Sequence, residues 1–281
     1  MISTTSFFAF VATLAYLVAA VRIAQGIASV PDDSDGSAVP HDRLARRVAL
    51  GGIVSHAIAL WPSLFVGPDP FAPDLAITLS LAGLITIAMF VIAADLRWMD
   101  QGAGMLVLSL TSFAPLVPVI WTSPPAVTLS ETTIHLHATI SLAGYAILTL
   151  AVFQALVFSW QEFRIRNHRP SAALSSFASL ETQERWLFQW VGLGFFLLSL
   201  SLISGLMFIE DILEQHLVHK TALSCLAWAI FGTLLWGRRR YGWRGQQAVR
   251  WCLFGFVALA IAYFGSRLIL EVLLDRRWYP A

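Results

Sequence analysis

Charge is scarce in this chain. Of 281 residues only 12% are Asp, Glu, Lys or Arg, while 57% are hydrophobic. A water-soluble domain carries charge on about a quarter of its positions, so an ordinary globular surface is excluded. Cysteine is nearly absent: Cys225 and Cys252 are the only two, and no Cys-x-x-Cys occurs. The two are expected at very different membrane depths, which excludes a disulfide, and no thiol redox motif is present. There is no P-loop, so any energy coupling has to come from a partner. No internal repeat points to an inverted-repeat transporter. The formal net charge of +1 gives no reason to expect a nucleic-acid partner.

Long apolar runs fill the space left by charge. Candidate spans fall at about 6–26, 48–66, 73–94, 103–121, 133–160, 187–208, 219–237 and 250–274. Each approaches the ~20 apolar residues needed to cross a bilayer as a helix. The expected fold is all-α: one integral membrane domain over 1–281, a polytopic bundle of about eight transmembrane helices. Basic residues set its orientation. Fourteen of the 18 Lys plus Arg (Arg22, Arg43, Arg46, Arg47, Arg97, Arg164, Arg166, Arg169, Arg185, Arg238, Arg239, Arg240, Arg244 and Arg250) fall around the odd-numbered loops. The positive-inside rule puts those loops in the cytoplasm and both termini outside. The first run has no basic residue before it and Arg22 after it, the wrong order for a cleaved signal peptide. A bacterial inner membrane is the expected location, with membrane lipids as partners.

Pro115 and Pro118 predict a kink or early unwinding near the outer end of span four. Span five is long enough to tilt or protrude. Residues 175–190, SSFASLETQERWLFQW, read as an interfacial helix leading into span six, with Trp186 and Trp190 at the membrane boundary. GRRRYGWRG (237–245) reads as a topological anchor with a tight turn.

Histidines stand where chemistry would. His56 is nine residues from the outer end of span two near Phe65, or ~13 Å deep. An ionisable ring there has to face the bundle interior. Either a neutral interhelical hydrogen bond or a bound ligand would satisfy it. His135 and His137 open span five on the outside but point in different directions. His137, Ser141 and Tyr145 recur every four residues and share a face. That stripe fits either a metal ligand with surrounding hydroxyls or a polar seam between helices. His219, beside Lys220, opens span seven on the same side, with His216 three residues earlier. Arg267 lies at the outer end of span eight, where it would snorkel or clamp a carboxylate. Imidazoles facing helices rich in Trp and Phe suit the iron and apolar body of heme, and Lys220 and Arg267 suit its propionates. Zinc suits the histidines but leaves the aromatic surface and external cations unused.

SHAIAL (55–60), HATISLAGYAIL (137–148), SLETQER (179–185), HKTALSCLAW (219–228) and the tract from GWRG (242–245) to AYFGSR (262–267) occur in that order. In this the chain resembles the cytochrome c assembly family of integral membrane heme-handling proteins, and most closely its small bacterial inner-membrane branch. The resemblance implies heme as cofactor, with apocytochrome c or other assembly proteins as partners on the external side. It implies an intramembrane ligand at His56, an external one at His137, and a matching aromatic at Tyr145. The tryptophan-rich external motif of larger members is replaced by EDILEQHLVHK (210–220). Trp236 stands where they place a second intramembrane histidine. These departures favour an accessory heme-binding role over a ligase, with no catalytic residue assigned. A scaffold or regulator that keeps the fold without heme transfer is the alternative. A small-solute transporter is a further one, though no span carries paired acidic residues.

Overall fold

A computed structural model describes residues 3–29, 42–66, 75–99, 101–121, 132–167, 174, 177–208 and 215–265. Most of the connections between expected spans one and two, two and three, and four and five fall outside these, as does Arg267. All regular structure among the described residues is helical. The helices are α1 (Thr4–Ala28), α2 (Arg43–Trp61, continued by one π turn), α3 (Leu75–Asp95), α4 (Gln101–Thr111), α5 (Val117–Ile120), α6 (Thr132–Arg166), α7 (Leu180–Phe208), α8 (Gln215–Tyr241) and α9 (Gly245–Ala260, continued by one π turn). Seven helical segments among the described residues have the length and apolarity to cross a membrane. Eight spans were expected; the seventh falls in α8, whose 27 residues begin at Gln215 and which is not among those seven.

Span four breaks where its prolines predict. The α-helical ladder stops at Thr111, a 3₁₀ turn covers Ala114–Leu116, and α5 resumes at Val117. Pro115 and Pro118 have no N–H to donate, so an α-helical ladder across them is incomplete. Serine hydroxyls before the break turn back onto the helix: Ser109 Oγ donates to Met105 O at 2.7 Å and Ser112 Oγ to Ser109 O at 2.7 Å.

The fifth span extends to 35 residues in α6, which is ~52 Å at the helical rise and exceeds the whole ~40–45 Å bilayer with its headgroups. Its antiparallel partner is α7, the most extensive pairing in the bundle. Small residues let the two backbones close. A Cβ on Gly194 would lie 2.5 Å from the Leu148 side chain, and one on Gly144 3.3 Å from Leu197. Polar clasps hold the ends of this hairpin. One joins Gln154, Gln161 and Gln183, with Gln183 Nε2 donating to Gln161 Oε1 at 2.5 Å. The other lies at the His137 end.

Two expectations about α7 need correction. Residues 180–190 are not a separate interfacial helix: α7 starts at Leu180, with Ser179 Oγ accepting from Thr182 N at 3.3 Å, and runs unbroken to Phe208. Trp190 does not face outward from the bundle. It is 6% exposed and packs edge-on against Trp98 at 6.2 Å, because unbroken helical phase carries it onto the buried face that also holds Gln183 and Leu187.

The basic end is built from caps, ion pairs and one tight turn. α8 runs through Arg238, Arg239 and Arg240 to Tyr241, further than expected, and reverses over residues 242–244. Gly242 holds φ 67° there, a left-handed conformation that a side chain would penalise. Arg238 pairs with Glu184 of α7. Asp42 caps α2, accepting from Leu44 N at 2.8 Å and Ala45 N at 3.2 Å, and pairs with Arg22 of α1 at 3.1 Å. Arg46 reaches Asp95 of α3 at 2.6 Å. A single buried core runs through the bundle, with Ala12, Ala45, Ile87, Ala103, Leu148, Leu187, Ala227 and Ala248 as members from eight of the helices.

Partial burial raises the Asp42 pKa, but the Ala45 and Leu44 amides and the Arg22 guanidinium outweigh it and hold the carboxyl below its ordinary value. The stability this carboxylate contributes is therefore complete above about pH 4 and is lost as pH falls through the depressed value. Thermal unfolding in detergent from pH 6 to pH 2 checks this. Asp42→Asn, which keeps a capping oxygen, should flatten the acid side of the profile, and Asp42→Ala should cost about 1 kcal/mol at neutral pH. An unchanged acid limb in Asp42→Asn would show that the cap carries none of the pH dependence.

Candidate functional site

The small residues of α2 explain the position of His56. Gly52 lies one turn before it, and a Cβ there would come within 2.7 Å of the Tyr16 ring. Its absence lets Tyr16 of α1 lie flush against α2, fully buried, with its hydroxyl 3.3 Å from His56 Nδ1. The rings meet edge-on, 6.0 Å between centroids. On the other side, His56 Nε2 shares a hydrogen bond with Ser80 Oγ of α3 at 2.8 Å. His56 is 0% exposed. A neutral imidazole has one donor and one acceptor nitrogen, and a hydroxyl can play either part. Two hydroxyls therefore satisfy the ring in either tautomer, and they tie three helices together through one side chain.

His137 has a different setting. It lies early in α6 and faces α7, half-buried. Nδ1 is 2.9 Å from Ser204 Oγ, and Nε2 is 3.4 Å from Ser141 Oγ, at the long limit of a hydrogen bond. Ser141 in turn meets Ser201 Oγ at 2.6 Å. Gly205 completes the seat, since a Cβ there would lie 3.1 Å from His137 Cε1. This is the polar seam anticipated for the stripe, built from α6 and α7 hydroxyls. Tyr145, the third stripe residue, packs instead against α9 and its π turn, 5.3 Å from Phe256 and 5.9 Å from Tyr263.

The two imidazoles thus engage different helix sets, His56 with α1 and α3, His137 with α7. His216, His219 and Lys220 lie in the first turns of α8, where only the backbone is described, and the side chain of His135 is likewise outside the description. Arg267 lies beyond the described residues. Among the described residues no group of three His, Cys, Asp or Glu side chains gathers as a metal cluster would. Trp236 is 58% exposed and meets Tyr241 edge-on at 5.3 Å, on the outside of the bundle.

Sequence reasoning named the histidines and missed most of their partners. Tyr16, Ser80, Ser201 and Ser204 sit in apolar runs that give no periodic signal. The glycines one turn before His56 and next to Ser204 are the only local hints.

The seat of Tyr16 yields a paired test. Gly52→Ala drives a methyl into the buried ring and strains its bond to His56, at a cost of about 1–3 kcal/mol. Gly51→Ala meets nothing within 4 Å and should be neutral or gain up to about 1 kcal/mol of helix propensity. Unfolding of both variants in detergent gives the comparison. Equal effects would mean that the Tyr16–His56 contact is not constrained by Gly52.

The family model described as "Cytochrome C assembly protein" matches residues 52–274. Inner membrane protein YpjD of Escherichia coli is 29% identical over 275 residues, covering 95% of this chain and 98% of the relative. Protein HemX of Brevibacillus brevis is 26% identical over 164 residues, 58% of this chain and 59% of that protein. Cytochrome c biogenesis protein CcsA of Mesostigma viride is 21% identical over 198 residues, 63% of this chain and 65% of that protein. No solved structure matches the chain. With its long apolar helices and its near full-length likeness to an inner-membrane protein, this is a multi-pass inner-membrane protein. It belongs to the cytochrome c assembly protein family.

Proposed function

We propose that this protein binds heme and handles it during assembly of c-type cytochromes, in an eight-span bundle with α8 as a crossing and both termini external. The observation that carries the reading is the seat of His137. Ser204 engages Nδ1 and fixes the ring orientation, which aims Nε2 away from that bond. Metal-bound imidazoles likewise have one nitrogen held by the protein, and here the other meets Ser141 at 3.4 Å. Membership of the cytochrome c assembly family supplies the context.

The donor set suits heme. His137 would hold iron through Nε2 once the long contact to Ser141 gives way. His219 on α8 is a second candidate, and Lys220 and Arg267 would contact the propionates. Tyr145, with Phe256 and Tyr263, offers an aromatic wall for the apolar faces. Heme, when bound, supplies an iron that accepts axial imidazole nitrogen. His56 would join only if the Ser80 hydroxyl leaves Nε2, since both its nitrogens have partners. Apocytochrome c supplies the heme-accepting thiols, because this chain has no Cys-x-x-Cys-His. No residue is assigned a catalytic role.

One observation favours a second reading, a scaffold or regulator that has kept the fold without heme transfer. His56, with both nitrogens satisfied in a dry three-helix junction, has the environment of a structural histidine. The two readings part on a purified-protein measurement. The protein expressed with ample heme should give a pyridine-hemochrome signal near one heme per chain. His137→Ala should lower it at least several-fold while the protein remains monodisperse. Heme-free protein, or an equal heme content in His137→Ala, would favour the scaffold.

A further inference from the structure

An open groove of about 900 Å³ runs between α8 and α9. On α9 its lining includes Gln247, Arg250, Phe254, Val257 and Ile261, at intervals of three and four residues, so they form one stripe of the helix. Leu226 and Ile230 of α8 face that stripe. Chemistry divides the groove by depth. Gln247 and Arg250 stand at the end nearest the α8–α9 turn, and everything beyond Trp251 is apolar. From Arg250 to Ile261 is eleven residues, or ~16 Å, which is half of a ~30 Å hydrocarbon core. The described part of the groove therefore covers about one leaflet's depth, with its cation at the headgroup level.

Arg250 is exposed and has no ion pair among the described residues, whereas Arg22, Arg46 and Arg238 each have a carboxylate. Gln246 beside it is already committed to Glu162 at 2.8 Å. Arg239, Arg240 and Arg244 lie at the same end and add to the positive field. Among the described residues no imidazole, thiol or thioether lines the groove.

We propose that this groove is a binding site for one anionic phospholipid. Arg250 and Gln247 hold its phosphate, and one acyl chain lies along Leu226, Ile230, Phe254, Val257 and Ile261. A cation at the headgroup end of an apolar groove matches the build of an anionic lipid, with its phosphate above its acyl chain. An uncompensated arginine on the basic side selects an anionic headgroup over a zwitterionic one.

Native mass spectrometry of the full chain in detergent tests this, using dioleoylphosphatidylglycerol and dioleoylphosphatidylcholine as competing probes. One phosphatidylglycerol should be retained with about tenfold preference, and Arg250→Gln should reduce that retention about tenfold, the effect of one charge-assisted hydrogen bond. Arg244→Gln, at the same end but outside the lining, should keep it. Val257→Trp, which fills the apolar part and leaves Arg250 in place, should lose the lipid too, and it serves as the test if Arg250→Gln does not fold. Equal retention of the two lipids, equal effects of Arg250→Gln and Arg244→Gln, or full retention in Val257→Trp would overturn the proposal. So would co-purification of heme or a polypeptide that the Val257→Trp variant releases.

Discussion

An imidazole inside a hydrocarbon slab has no water to turn to, so each of its nitrogens has to find a partner on a neighbouring helix. Much of the packing follows from that constraint. His56 draws α1 and α3 onto α2 through Tyr16 and Ser80, and His137 draws α7 onto α6 through Ser204 and Ser141. Glycines stand where these contacts require close approach: Gly52 under Tyr16, Gly205 under His137. The same requirement appears at the far end of the α6–α7 hairpin, where Gln154, Gln161 and Gln183 hydrogen-bond in a chain and Gln161 and Gln183 also donate to the Ala178 carbonyl. Polar clasps at both ends with a small-residue middle fix the register of two helices that lipid alone would leave free to slide.

The two histidines differ in what their partners leave available. His56 is closed, with two hydroxyls on two nitrogens and no exposure. His137 meets Ser204 at Nδ1 and Ser141 at Nε2, bridges α6 and α7, and is half-buried. A partly exposed residue that bridges two helices can serve a ligand without dismantling the bundle. A residue that holds three helices together with both nitrogens cannot do so as readily. This contrast ranks His137 ahead of His56 as the proposed iron ligand, an order that the depth of the residues alone would not give.

The all-α class was legible because a span of about 20 apolar residues is a coarse signal that side-chain detail hardly perturbs; eight spans were expected, and seven described segments have the length and apolarity to cross. The proline break in span four was legible because proline's missing N–H acts locally. Less legible was anything set by helix phase. Trp190 carries an interfacial residue type but sits in the core because α7 continues unbroken from Leu180. Tyr145 shares a four-residue repeat with His137, yet it turns to α9, since the repeat fixes a stripe and not the neighbour that covers it. The hydroxyl partners were least legible: in helices apolar on all sides, no periodicity marks which serine faces which ring.

The central claim is that His137 offers Nε2 to heme iron while Ser204 holds Nδ1, and ligand rescue addresses it most directly. His137→Gly opens an imidazole-sized gap at one ligand position and leaves the remaining contacts of the α6–α7 pair in place. If the account is right, the optical spectrum of the heme-loaded variant departs from the wild type and returns toward it when free imidazole is added. A heme spectrum identical in wild type and variant, and indifferent to imidazole, would contradict it.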